Sequence, residues 1–137
     1  MKHFILTSII AAVALMSAAG HASAQSKDDR PYNLQKAYEI LQKDHDEEQA
    51  LKLLGEQIKS TPDNVECWLL MCRIYRNQKE YGRAMSSVNE AIRVNKPKKS
   101  GFVNSTLYWW KSSVYDDMDN NEQEIEWLKK ALDAARK

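Results

Sequence analysis

A helical pattern that recurs along the chain constrains the fold more than any other feature. Trp68, Met71, Cys72 and Tyr75 stand at i, i+3, i+4 and i+7, which sets them on one stripe of a helix. Tyr81, Ala84, Val88, Ala91 and Ile92 form a second stripe after a break at Asn77 to Glu80. Two short amphipathic helices joined by a tight polar turn make an antiparallel hairpin, and neither has enough apolar surface to be stable alone. The hairpin must therefore stack on something. A displacement of 34 residues toward the N-terminus sets Trp68 on Leu34, Tyr75 on Leu41, Ala84 on Ala50, Val88 on Leu54 and Ile92 on Ile58. A displacement of 40 toward the C-terminus sets Trp68 on Tyr108, Tyr75 on Tyr115, Val88 on Leu128, Ala91 on Ala131 and Ile92 on Leu132. The step from the last core position of the first helix to the small-residue position of the second is 16 in each copy (Leu41 to Gln57, Tyr75 to Ala91, Tyr115 to Ala131), so the six extra residues lie between hairpins.

A period of 34 with W-x2-L-G-x2-Y, then A-x3-F, then P, is the tetratricopeptide signature. The chain resembles that family over roughly residues 31–137. The central copy carries Trp68, Met71, Cys72, Tyr75, Ala84 and Val88, with Pro97 one place late. The first carries Leu34, Ala37, Tyr38, Leu41, Ala50 and Leu54, with Pro62 in place. The third departs most, since Lys111 and Ser112 take the Leu-Gly places and Glu124 takes the Ala. The resemblance implies an all-α fold, an α-solenoid of three helix-turn-helix repeats over about residues 31–64, 65–98 and 105–137 with an insertion at 99–104, and a scaffold that binds other proteins.

Residues 1–24 read as a cleavable secretory signal peptide: a basic start at Lys2 and His3, an apolar stretch from Phe4 to Met16, and Ala22-Ser23-Ala24 before Gln25. The apolar stretch is too short to cross a bilayer of about 30 Å as a helix, and no Cys follows it to take a lipid anchor. The mature protein is expected to start near Gln25 and to work outside the cytoplasm, in the periplasm or secreted. Removing the leader takes Lys2 and no acid, which leaves 19 basic against 19 acidic groups. A nucleic-acid binder normally shows a basic excess, and a second apolar span is lacking, so neither nucleic acid nor a membrane span is expected.

Residues 25–30 are polar and expected to be disordered. Asp29 and Pro31 start a first helix running to about Lys43. Asp44, His45 and Asp46 make the turn, and Asp46 with Gln49 resembles a capping pair for the second helix, about Glu47 to Ser60. Tyr38 stands where the family keeps a small residue, so this hairpin must open slightly or let the ring slide out. Asp63 and Asn64 cap the third helix, Asn104 or Ser105 the fifth, which ends near Asp117, and the sixth begins near Asn121. Cys67 and Cys72 are five apart on one helix, roughly 8 Å and 140° apart, beyond the reach of a disulfide, and are expected to be free apolar filler.

Chemistry-bearing patterns are scarce. The basic run from Arg93 to Lys99 reads as a solvated loop that complements a helix C-terminus, with docking of an acidic partner as the alternative. Asp117, Asp119, Asn121 and Glu126 resemble a calcium loop, but Glu122 stands where that loop needs Gly and Leu128 where it needs Glu. After leader removal His45 is the one histidine, and Gly55, Gly82 and Gly101 are singly placed. No phosphate-cradling loop or metal-ligand cluster can be assembled from these, so no catalytic residue, cofactor or metal is expected.

In arrays of the resembled family the first helix of each pair lines a concave groove. The ligand-facing places map onto Gln35, Glu39, Gln42 and Lys43, then Leu69, Arg73, Arg76 and Asn77, then Trp109, Ser113, Asp116 and Asp117. Leu69, Arg73 and Arg76 also share one face by spacing alone, away from the stripe of Trp68 and Tyr75. Three successive aromatics, Tyr108, Trp109 and Trp110, spread over about 200° of a helix, so one indole must leave the core stripe, toward the groove or under the insertion. The terminal-carboxylate clamp of chaperone-binding members fails here, because its places hold Gln35, Glu39, Leu70, Thr106 and Trp110. The last helix offers Trp127, Leu128, Ala131 and Leu132, for which weak self-association through the Trp127 face is expected. The expected function is an exported adaptor holding a partner polypeptide in its groove. The alternative is a self-assembly module acting through its end faces, and a remote one an extracytoplasmic enzyme or metal binder.

Overall fold

The computed structural model describes residues 28–95 and 101–137. The leader, Gln25 to Lys27 and the 96–100 part of the basic run lie outside the described residues. Among the described residues there are six helices and no strand: α1 (Tyr32–Lys43), α2 (Glu47–Ser60), α3 (Val65–Asn77), α4 (Tyr81–Asn95), α5 (Gly101–Asp117) and α6 (Asn121–Ala135). They pair as α1/α2, α3/α4 and α5/α6, and the pairs stack in chain order, with α2 on α3, α4 on α5, and α3 also touching α5.

The hairpin turns repeat the register of the sequence. His45, Lys79 and Asp119 are the non-glycine residues with positive φ, at 54°, 60° and 57°. They are separated by the same 34 and 40 residues that relate the side-chain patterns. Each is the left-handed residue that ends a helix and turns the chain back. In the second and third copies the closing bonds are identical: Glu80 N–H donates to Tyr75 O at 2.8 Å and Asn120 N–H to Tyr115 O at 2.9 Å. Caps follow the same order. Asp46 accepts from Gln49 N–H (2.9 Å), Asn64 from Cys67 N–H (3.0 Å) and Asn120 from Gln123 N–H (3.2 Å).

Two buried clusters hold the stack. The first joins Leu34, Ala37, Ala50 and Leu54 to Cys67, Leu70 and Ile74, and the second joins Cys72, Ala84, Val88 and Val114. The single stripe expected on α3 is thus corrected. Cys67, Leu70 and Ile74 face the first hairpin and Cys72 faces the third, while Trp68, Met71 and Tyr75 are half-buried. A middle helix has neighbours on two sides, so its burial is wider than one stripe. Both cysteines are free and fully buried, in different clusters. Burial pushes the Cys67 thiol up to about 11, with Glu66 adding to the shift, and the Cys72 thiol up to about 12.

Three further expectations change. α5 starts at Gly101, so neither Asn104 nor Ser105 caps it; Asn104 Oδ1 accepts from buried Asn95 Nδ2 at 2.9 Å and ties α4 to α5. Gly101 is required there, because a Cβ would lie 2.5 Å from Ala134 O and 3.3 Å from Lys137 C. Residues 28–30 are ordered: Asp28 pairs with Arg30, whose guanidinium reaches Glu66 (3.4 Å) and lies 4.6 Å from the Tyr38 ring centre. That ring slides to the edge of the first cluster, and its hydroxyl donates to Glu66 Oε1 at 2.9 Å. Finally, Trp127 is engaged inside its own hairpin. Tyr108 stands 5.6 Å away, and the ammonium groups of Lys111 and Lys130 each lie 4.0 Å from its ring centre. Burial and the nearby Lys130 lower the pKa of Lys111.

Candidate functional site

Helices α1, α3 and α5 present one side of the stack as a run of three connected recesses. The first, about 360 Å³, is lined by Asp28, Arg30, Gln35, Tyr38, Glu39, Gln42 and Glu66. The next, about 230 Å³, shares Tyr38 and Gln42 with it and adds Leu41, His45, Glu47, Arg73, Ile74 and Asn77. The third, about 320 Å³, shares Arg73 and Asn77 and adds Arg76, Trp110 and Asp117. Each has room for one or two side chains, and the shared residues make the three a continuous channel across all three repeats.

Most polar groups along the channel already have partners. Gln35 Nε2 donates to Asp28 O at 2.9 Å and also to Arg30 O, and Glu39 pairs with Lys36 at 3.2 Å. Asn77 Nδ2 donates to Glu47 Oε1 at 3.3 Å. Arg76 forks onto Asp117, Nε to Oδ2 at 2.5 Å and Nη2 to Oδ1 at 3.2 Å, and its guanidinium lies 5.7 Å from the Trp110 ring centre. Both side chains of that pair are 24% exposed, and the pair clips α3 to α5. Arg73 differs. It is exposed, lines both the second and the third recess, and makes no hydrogen bond or ion pair among the described residues.

The mapped groove positions are therefore brought together in part. Gln35, Glu39, Gln42, Arg73, Arg76, Asn77 and Asp117 line the channel. Leu69 does not: it packs, half-buried, against the second cluster, because α5 covers that side of α3. Lys43 and Asp116 are exposed but lie outside the three recesses, beyond the last turn that faces them. Ser113 is half-buried, and its hydroxyl donates to Trp109 O at 3.0 Å. Trp109 turns its Nε1–H inward, where it is buried without an acceptor among the described residues, and stacks edge-on against Trp110, with ring centres 5.7 Å apart. Trp110 supplies the channel's indole in its place. Tyr38, Trp110, Glu66, Arg30 and His45 are channel residues that the mapped positions missed. Of these, Tyr38 and Trp110 carried a signal, a large ring where the family pattern or the core stripe had no room.

Among the described residues, no cluster of three or more His, Cys, Asp or Glu is arranged to hold a metal ion, and no helix is long and apolar enough to cross a membrane. The turn at Asp117 to Asn120 is the hairpin turn itself, with Asn120 committed to capping α6.

Residues 105–137 match a family model described as tetratricopeptide repeat. A comparison with curated proteins returns no match. The matched segment is α5/α6, the copy whose motif positions depart most, and α1/α2 and α3/α4 carry the same hairpin at offsets of 40 and 34 residues. The chain is a tetratricopeptide-repeat protein.

Proposed function

We propose that this protein is an exported adaptor that holds an extended segment of a partner polypeptide in the channel along α1, α3 and α5, anchoring an acidic side chain on Arg73. Tetratricopeptide repeats generally mediate protein–protein interaction. The observation that carries the channel reading is the unpaired, exposed Arg73 at the junction of two recesses, in a groove whose other charges are mostly matched. A guanidinium so placed gives a carboxylate two parallel hydrogen bonds, and the flanking Tyr38 and Trp110 offer ring surface to neighbouring residues. Binding, not turnover, is the proposed activity. Export rests on the leader-like residues 1–24.

The test is capture of a partner from an envelope extract with the intact protein and with Arg73→Glu. Because Arg73 is exposed and has no ion pair among the described residues, its reversal leaves the fold intact, which a thermal melt checks. Loss of a captured partner with an unchanged melt supports the channel. Equal capture by both proteins discards Arg73 as the anchor. Export is tested separately, by N-terminal sequencing of protein from the envelope fraction; an uncleaved Met1 in the cytoplasm refutes it.

A further inference from the structure

The third repeat leaves open a face that the first two keep covered. At the register of Ile125 and Leu132, the first repeat has Leu51 and Ile58 and the second has Met85 and Ile92. All four are half-buried against the two core clusters. Ile125 and Leu132 stand 50% and 44% exposed. They lie two turns apart on one side of α6, roughly 100° around the axis from buried Ala131, with half-buried Leu128 on their border. Met118, also exposed, continues the same seven-residue spacing into the turn.

The rim of this stripe is complementary to itself. Exposed Glu122 lies toward the N-terminal end of α6 and exposed Arg136 just past its C-terminal end, on the same flank. A second α6 laid antiparallel, with Ile125 of each copy against Leu132 of the other, brings Glu122 within one residue, about 1.5 Å of axial rise, of the opposing Arg136. The two-fold axis makes that contact twice and sets the helix dipoles in opposition. The same register puts Lys129 beside its own copy at the axis, a like-charge contact. We propose that a second copy of this chain covers the outer face of α6, as an antiparallel two-fold dimer centred between Leu128 and Lys129. Trp127 is not the contact, since its ring is occupied by Tyr108, Lys111 and Lys130.

Sedimentation of the full chain over a range of concentrations tests this. The expected mass rises from one chain toward two, and Leu132→Glu, at an exposed position, weakens association by about tenfold or more with helicity unchanged. Glu122→Arg and Arg136→Glu each weaken it, and the two combined in one chain restore it. Lys129→Gln, which removes the like-charge contact, tightens it. A mixture of Glu122→Cys and Arg136→Cys chains forms a mixed disulfide faster than either chain alone, with Cys67 and Cys72 buried and out of competition. A single-chain mass at every concentration overturns the proposal. So does a dimer that survives Leu132→Glu, or one that forms no mixed disulfide.

Discussion

Replacing Arg76 with alanine removes the fork that ties the second repeat to the third. The pair sits between two regimes. Fully exposed ion pairs contribute about 0.2–1 kcal/mol, and breaking a buried one by removing a single partner costs about 3–5 kcal/mol. With each side chain 24% exposed and two hydrogen bonds in parallel, a coupling of about 1–2 kcal/mol follows. Arg76→Ala also forfeits the guanidinium's contact with the Trp110 ring, worth about 0.5–1 kcal/mol. Asp117→Ala keeps that contact. Arg76→Ala should therefore cost about 2–3 kcal/mol and Asp117→Ala about 1–2 kcal/mol. A domain of this size loses roughly 4–8 °C of melting temperature per kcal/mol, so the two differ by several degrees. The assay is a double-mutant cycle in urea and by thermal melt, with Arg76→Lys as a third variant that keeps the charge and loses the fork. A coupling below about 0.3 kcal/mol, or full rescue by lysine, refutes the reading of a bidentate clip. The same cycle bears on the channel: Arg76 is structural, so loss of partner binding in an Arg76 variant would say nothing about a binding role unless the melt is unchanged.

Four other outcomes follow from the geometry. Cys67 and Cys72, with thiol pKa values raised from 9.0 to about 11 and about 12, should resist alkylation near pH 8 in the folded protein and react promptly in urea; fast labelling without denaturant would contradict their burial. Because these folded-state values lie above the unfolded ones, the stabilisation is complete below pH 9 and is lost as pH rises toward 11 and 12, which an alkaline melt series reads. Lys79→Gly should stabilise by about 0.5–1 kcal/mol in a urea melt, since the native φ of 60° suits glycine and strains lysine. Gly101→Ala should destabilise by about 1–3 kcal/mol, because the new methyl meets backbone atoms of the last turn of α6, which cannot rotate away; a neutral melt would refute the close approach. Trp109→Phe should fall within about 1 kcal/mol of the parent, since it removes a buried N–H that has no acceptor among the described residues.

What was legible in the sequence is what repeats. The 34- and 40-residue offsets place Ala50 on Ala84 and Leu54 on Val88, and all four are fully buried. Asp46 and Asn64 announce their helices because a short side-chain acceptor ahead of an apolar stripe has one good use. The turns were harder to read, since the left-handed positions hold His45, Lys79 and Asp119, and none is the glycine that would mark them. Asn104 has the chemistry of a cap, yet its carboxamide is taken by Asn95, nine residues away and buried on another helix. Spacing alone also cannot say which of two adjacent indoles enters the channel. Trp110 does so because Arg76, held by Asp117, lies over its ring, and that arrangement depends on residues 34 and 7 positions away.

The same limit explains the end face. Ile58, Ile92 and Leu132 share one register and one chemical type, yet the first two are half-buried and the third is exposed. A periodic pattern specifies which side of a helix is apolar; it does not specify whether anything lies against it. In a stacked array a residue's role is set by the next unit. Leu69 was absorbed into the core because α5 lies beside α3, and Arg73 stayed free because no described residue reaches across the channel to pair with it. The open channel at Arg73 and the open stripe at Leu132 are thus two instances of one circumstance, a face patterned for contact with no described residue covering it. They differ in chemistry: a lone guanidinium between two rings selects an acidic side chain, whereas an apolar stripe with opposite charges at its two ends is matched by its own reverse.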